Sequence, residues 1–182
     1  MPLPIFRGLQ IIFATSLTAC FSYALAQQKT EAEIAAEFII GNCYRSIDDI
    51  SRVKSMARIF KWQPLPPDLA SAMKPVESGG YESWHVLHQG QHFFVGVNTG
   101  NERGKPVEVC TVIANHPPEV LVPIVLENVK TRRFVSRNTN GLQTTATYEL
   151  EHPTQKLELA MLSVTTGVNN DPPVNFSFIG FR

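Results

Sequence analysis

The sequence predicts an α+β domain: an antiparallel sheet of about five to six strands, with two N-terminal helices and one later helix packed on one face. Three observations predict it. Apolar residues recur at helical spacing up to about residue 60. From residue 84 onward they recur at every second position, as in strands with one buried face. A further helical segment, opened by Pro117-Pro118-Glu119, interrupts the alternating ones.

The first helix is expected over 31–43. Thr30-Glu31-Ala32-Glu33 is a capping-box pattern, and Ile34, Ala35, Phe38, Ile39 and Cys43 follow at helical spacing. A second is expected over 47–60, capped by Ser46, with Asp48 and Asp49 in its first turn. Ile47, Ile50, Val53, Ala57 and Phe60 form its apolar side. Trp62-Gln63-Pro64-Leu65-Pro66-Pro67 reads as a rigid connector, because proline removes donors and holds the preceding residue extended. Pro67 then opens a short helix to Met73, and 76–80 reads as a loop.

Segments 84–89, 92–98 and 107–113 alternate and make a meander. Val120, Leu121, Ile124, Val125 and Val129 share one side of the later helix, although Pro123 sits inside it. The basic run Lys130-Thr131-Arg132-Arg133 reads as cations offsetting the dipole of that helix. Strands are expected over 144–151 and 155–164, around a turn Glu151-His152-Pro153-Thr154, and over 174–181.

The N-terminus, MPLPIFRGLQIIFATSLTACFSYALAQQ, has one charge, Arg7, then an apolar stretch ending in Ala24-Leu25-Ala26. This is the pattern of a cleavable signal peptide covering residues 1–26. A competing reading takes Leu17-Thr18-Ala19-Cys20 as a bacterial lipobox with a lipid anchor at Cys20, but Phe21 to Ala24 stay apolar where such chains turn polar. Both readings export the chain to the periplasm or beyond. Removing 26 of 182 residues leaves 156, enough for a single α+β domain over 27–182 with no transmembrane segment. The whole chain has 16 basic and 16 acidic residues, and losing Arg7 leaves 15 against 16. That balance makes no electrostatic case for nucleic acid or an anionic membrane.

Cys43 and Cys110 remain after cleavage, and two cysteines in an oxidising compartment most often pair. Closing a loop of roughly 68 residues is worth about 4 kcal/mol in the chain-entropy model. No C-x-x-C is present to suggest a redox role.

The stretch WHVLHQGQHFF, residues 84–94, holds three histidines. In a hairpin, His85 and His92 share one face while His88 points to the other. A type II′ turn at Gly90-Gln91 pairs Gln89 with His92 and His85 with Gly96, leaving His85 and His92 about 13 Å apart along the ladder. A turn at Gln89-Gly90 pairs His92 with Leu87 and brings it nearer His85. Opposite faces of a sheet cannot supply three nitrogens to one metal. The histidines are therefore read first as hairpin residues, and second as a two-histidine ligand or metal site at His85 and His92, with Glu82 as a further candidate. No zinc-ligand, nucleophile-elbow, phosphate-loop, dinucleotide or EF-hand motif is present, so no cofactor is implied.

The run from Phe38 and Cys43, through Phe60-Lys61-Trp62-Gln63-Pro64-Leu65-Pro66, to Trp84 and Val109-Cys110-Thr111-Val112 resembles small exported proteobacterial proteins of uncharacterised function. Those share a helix cysteine, a Trp-Pro connector and a strand cysteine. The resemblance covers about residues 34–129. It implies a bacterial source, supports the pairing of Cys43 with Cys110, and carries no activity with it. The first functional expectation is a non-enzymatic periplasmic domain that binds a partner protein or a small envelope component. The alternatives are a metal-binding or hydrolytic enzyme using His85 and His92, or an inhibitor or immunity-type protein.

Overall fold

The computed structural model describes residues 29–73, 79–102, 104–151, 156–167 and 169–182. The expected signal segment with Cys20, and the turn residues 152–154, lie outside the described residues.

Helix α1 (Glu31–Asn42) begins at the expected capping box: the Thr30 hydroxyl accepts from the Glu33 N–H at 3.2 Å, and the Glu33 carboxylate accepts from the Thr30 N–H at 2.7 Å. The expected second helix is shorter and starts later. A 3₁₀ turn (Tyr44–Ser46) takes up Ser46, the expected cap, and α2 covers Ser51–Ile59, so Asp48 and Asp49 precede it instead of forming its first turn; Asp49 accepts from the Ser51 N–H at 3.1 Å and its hydroxyl at 2.6 Å. After β1 (Gln63–Pro64) and α3 (Pro67–Met73) come β2 (Tyr81–His88), β3 (Gln91–Glu102), β4 (Lys105–Ala114), α4 (Pro118–Asn128), β5 (Thr131–Asn140), β6 (Gln143–Leu150), β7 (Leu159–Gly167) and β8 (Val174–Phe181).

All eight strands form one antiparallel sheet in the order β1-β2-β3-β4-β8-β7-β6-β5. The expectation of five to six strands with three helices is corrected by two strands that the residue pattern hides, and by α3 as a fourth helix. β1 is only two residues long and consists of the segment read as a connector. β5 starts inside the basic run 130–133 expected to offset the helix dipole; all ten of its residues are exposed and its register shifts twice, so no alternation survives. As an edge strand it has the devices that discourage aggregation: bulges and three arginines.

Alternation assigns every strand residue to a face. Trp84, Val86, Phe93, Val95, Val112, Phe176, Phe178 and Leu162 point to the face where α1, α2 and α4 contribute Ala35, Phe38, Ile39, Val53, Leu121 and Val125, and together these form the core. Phe38 of α1 stacks on Phe93 of β3, with ring centroids 4.2 Å apart. Burying an aromatic or branched aliphatic side chain of this kind stabilises by about 1.5–3 kcal/mol. Cys43 and Cys110 form the expected disulfide, fully buried, with Cα atoms 5.3 Å apart. It fastens the end of α1 to the middle of the sheet. Gly180 permits the closest approach of this layer: a Cβ there would sit 2.7 Å from the carbonyl oxygen of Ile47.

Candidate functional site

The hairpin joining β2 and β3 turns at Gln89 and Gly90, with φ of +48° and +81°. Positive φ at both central positions is what a type I′ turn requires. The resulting register pairs Leu87 with His92 and His85 with Phe94. Of the two turns the sequence allows, the structure therefore has the one at Gln89-Gly90: glycine supplies one positive φ and Gln89 takes the other. His88 lies on the core face, its ring centroid 5.1 Å from that of Phe38. Glu82 also belongs to that side and ion-pairs with Lys54 at 2.7 Å, so it takes no part with the histidines.

His85 and His92 meet on the other face, with His85 Nε2 2.8 Å from His92 Nδ1. Their rings are within 5° of parallel and their centroids are 5.0 Å apart. The centroid separation exceeds the nitrogen separation by 2.2 Å, so the imidazoles meet edge to edge through one N–H···N bond. His92 is exposed and His85 half-buried. Among the described residues no cluster of three metal-ligating side chains occurs.

The face that holds this pair, turned away from α1, α2 and α4, is a larger feature. Thr147, Ser163, Ser177, Thr111, Gly96 and Ser83 stand in one row across six strands. Ile113, Phe94, Asn175 and Thr165 belong to the row on one side of it, and Met161, Ile179, Val109 and Asn98 to the row on the other. Hydroxyls bridge neighbouring strands: Thr111 to Ser177 at 3.0 Å and Thr145 to Thr165 at 2.9 Å. The Tyr81 ring lies over Gly96, where a Cβ would come within 2.6 Å of the phenolic oxygen. Burial pushes the Tyr81 phenol up, partly offset by the Ser83 hydroxyl beside it, although the two oxygens do not form a well-aligned hydrogen bond.

Charge is confined to the borders of this face. Glu102 and Lys105 face each other at one hairpin end. At the far side Glu149 receives Arg133 at 2.7 Å and Arg132 at 3.1 Å. Hydrogen bonding and charge from Arg133, with Arg132 adding to them, hold the Glu149 carboxyl below the usual range. From His92 to Gly100 of β3, Val107 to Ile113 of β4, Leu159 to Thr165 of β7 and Asn175 to Phe181 of β8, no residue directed to this face is charged. The sequence reading concentrated on histidines and missed these positions. The signal was present in the outward residues of each alternating segment, which are Ser, Thr, Asn or aliphatic where a solvated face usually carries Lys and Glu.

A separate groove of about 470 Å³ opens on the core side, where the sheet extends past α4. Val122 and Pro123 of α4 form one wall, Ala146, Tyr148 and Val164 line the sheet side, and Arg137 and Thr139 of β5 complete it. Eight strands at ~4.8 Å spacing span more than the ~10 Å-wide helices beside them cover, which leaves the β5–β6 end overhanging. Comparison with protein families, curated proteins and solved structures finds no match to the chain.

Proposed function

We propose that the chain is an exported, non-enzymatic domain that docks a partner protein on the sheet face opposite α1, α2 and α4. The observation that carries this reading is the distribution of charge on that face: an uncharged centre of hydroxyl, amide and aliphatic groups inside charged borders. Protein interfaces show this anatomy, with charge depleted at the centre and concentrated at the rim. Six strands by about seven residues, at ~4.8 Å and ~3.3 Å spacing, give a footprint of roughly 650 Å², within which Ser83, Asn98, Val109 and Thr111 are already buried. That is smaller than the ~800 Å² each partner buries in a standard complex and suits a partner that also contacts the rim. Phe94 and the half-buried Ile113 and Ile179 supply apolar contacts within the uncharged centre. Export is supported by the N-terminal pattern and by a buried disulfide, which persists in an oxidising compartment. Among the described residues no helix is long and apolar enough to cross a membrane.

A second reading, binding of a small envelope component, is favoured by the groove beside α4, where Val122, Pro123, Ala146 and Val164 stand among polar groups that include Arg137, Glu119 and three threonines.

Charge placed on the face tests the first reading. Ser163→Arg and Ile113→Glu are expected to keep the fold and to abolish any complex that the wild-type chain forms in cross-linking of the cell envelope. Retention of every such complex by both variants would remove the face as a docking surface. Loss of a bound species on Ala146→Trp, with the face variants unaffected, would move the function to the groove.

A further inference from the structure

We infer that His85 and His92 form a two-nitrogen site for a late first-row divalent cation, copper(II) above all, with its other positions filled by water. The site stands at the corner of the docking face and does not depend on what docks there. The geometry points to this metal class. Two nitrogens each about 2.0 Å from a metal stand about 2.8 Å apart at a right angle and about 3.3 Å apart at the tetrahedral angle. The observed 2.8 Å is that of an N–H···N bond, so the two nitrogens already stand as close as two ligands of one metal need to be, and the choice among late first-row ions rests on the ligand type.

The type I′ turn builds this proximity, because its register sets His92 diagonally across from His85 on one face of a rigid ladder. A metal site formed this way needs the rings to turn but no change in the ladder. The proton shared between Nε2 of His85 and Nδ1 of His92 moves to an outer ring nitrogen, and the two freed lone pairs converge on the ion as the rings tilt. Phe94 flanks His85, with ring centroids 5.6 Å apart, and Leu87 pairs with His92, so no carboxylate crowds the pair to favour a harder cation. The exposure of His92 leaves room for water or for a donor from a docked partner. The order of divalent affinities puts copper(II) first for imidazole ligands.

Titration of the full mature chain with copper(II) chloride in a non-coordinating buffer tests the site, read by calorimetry and by electron paramagnetic resonance. One ion per chain is expected, with nitrogen splitting from two imidazoles. His85→Ala and His92→Ala are each expected to weaken binding at least about tenfold, a loss of about 1.4 kcal/mol. His88→Ala and His116→Ala, on histidines outside the pair, are expected to leave it within about twofold. His92→Gln, which keeps the bulk of an exposed side chain, separates ligand loss from any disturbance of the hairpin. Wild-type binding no tighter than that of the His85→Ala/His92→Ala variant, or an unchanged spectrum in that variant, would overturn the assignment.

Discussion

Phe93 and Phe94 are chain neighbours with opposite fates. Phe93 is fully buried against Phe38 of α1, while Phe94 stands on the other face at 36% exposure. The same contrast runs without exception along β7 and β8, whereas on β4 Val107, Val109 and Thr111 of the outward face are buried as well. The core face carries most of the large side chains that hold the fold together, and the other carries hydroxyls, amides and aliphatics that are half-exposed on β7 and β8. Core packing and outward display are thus divided by parity on these strands, and a change of one position moves a residue from one face to the other.

The largest expected effect is on the core side of that division. Phe93→Ala removes a buried ring and leaves a cavity in a layer held on both sides, so it is expected to cost about 3–5 kcal/mol in urea denaturation. Phe94→Ala is expected to cost under about 1 kcal/mol by the same measurement, because solvent already reaches that ring. Equal losses from the two would show that the outward face is itself part of the core.

A smaller effect comes from two glycines that face opposite ways. Gly180 on the core side is overlain by the Ile47 carbonyl, which is backbone and cannot step aside, whereas Gly96 is overlain by the end of the Tyr81 side chain, which can swing outward. Gly180→Ala is expected near the upper end of the ~1–3 kcal/mol range for overpacking, and Gly96→Ala near its lower end. Tyr81→Leu combined with Gly96→Ala removes the obstructing phenol and should recover part of the Gly96→Ala loss. A Gly96→Ala variant as unstable as Gly180→Ala would mean that Tyr81 is as firmly held as the backbone.

Much of the core face was legible in the sequence, and less of the rest. Helical spacing and the Thr30–Glu33 box located α1 because a helix that buries one stripe writes it into every third or fourth residue. Alternation found β2, β3, β4, β6, β7 and β8 for the same reason, and it separated His88 from His85 and His92 before any coordinates. β5 left no such trace: a strand exposed on both faces and bulged twice has no burial pattern to read. The insertion of β8 between β4 and β7 was also beyond local pattern, since pairing partners are chosen by the tertiary packing. The 2.8 Å contact between His85 and His92 depended on whether Gln89 or Gln91 shared the turn with Gly90. Glutamine gives little warning of a positive φ.

The smallest expected effect is at the charged border of the outward face, and it appears as a pH dependence. Glu149 is held by Arg133 and Arg132, Asp49 by the Ser51 hydroxyl and N–H with Arg52 adding charge, and Glu33 by the Thr30 cap, and all three carboxyls lie below their ordinary values in the fold. A carboxyl lowered by folding binds its proton more readily when unfolded. Its contribution is therefore complete above its unfolded value near 4.5 for Glu and 3.8 for Asp, and is lost as pH falls through the lower folded value. Melting temperature should accordingly hold steady from neutrality to about pH 5 and fall below it. Glu33, Asp49 and the two arginines that hold Glu149 are open to solvent, where salt weakens each pair, so the decline should be shallow and should shrink further at high ionic strength. Glu149→Gln removes the border pair alone. It should flatten part of the acid decline while moving the neutral melting temperature little, because the two arginines it pairs with are themselves exposed. An acid profile unchanged by Glu149→Gln would place the decline on Glu33 and Asp49 at the starts of α1 and α2, that is, on the core side of the sheet after all.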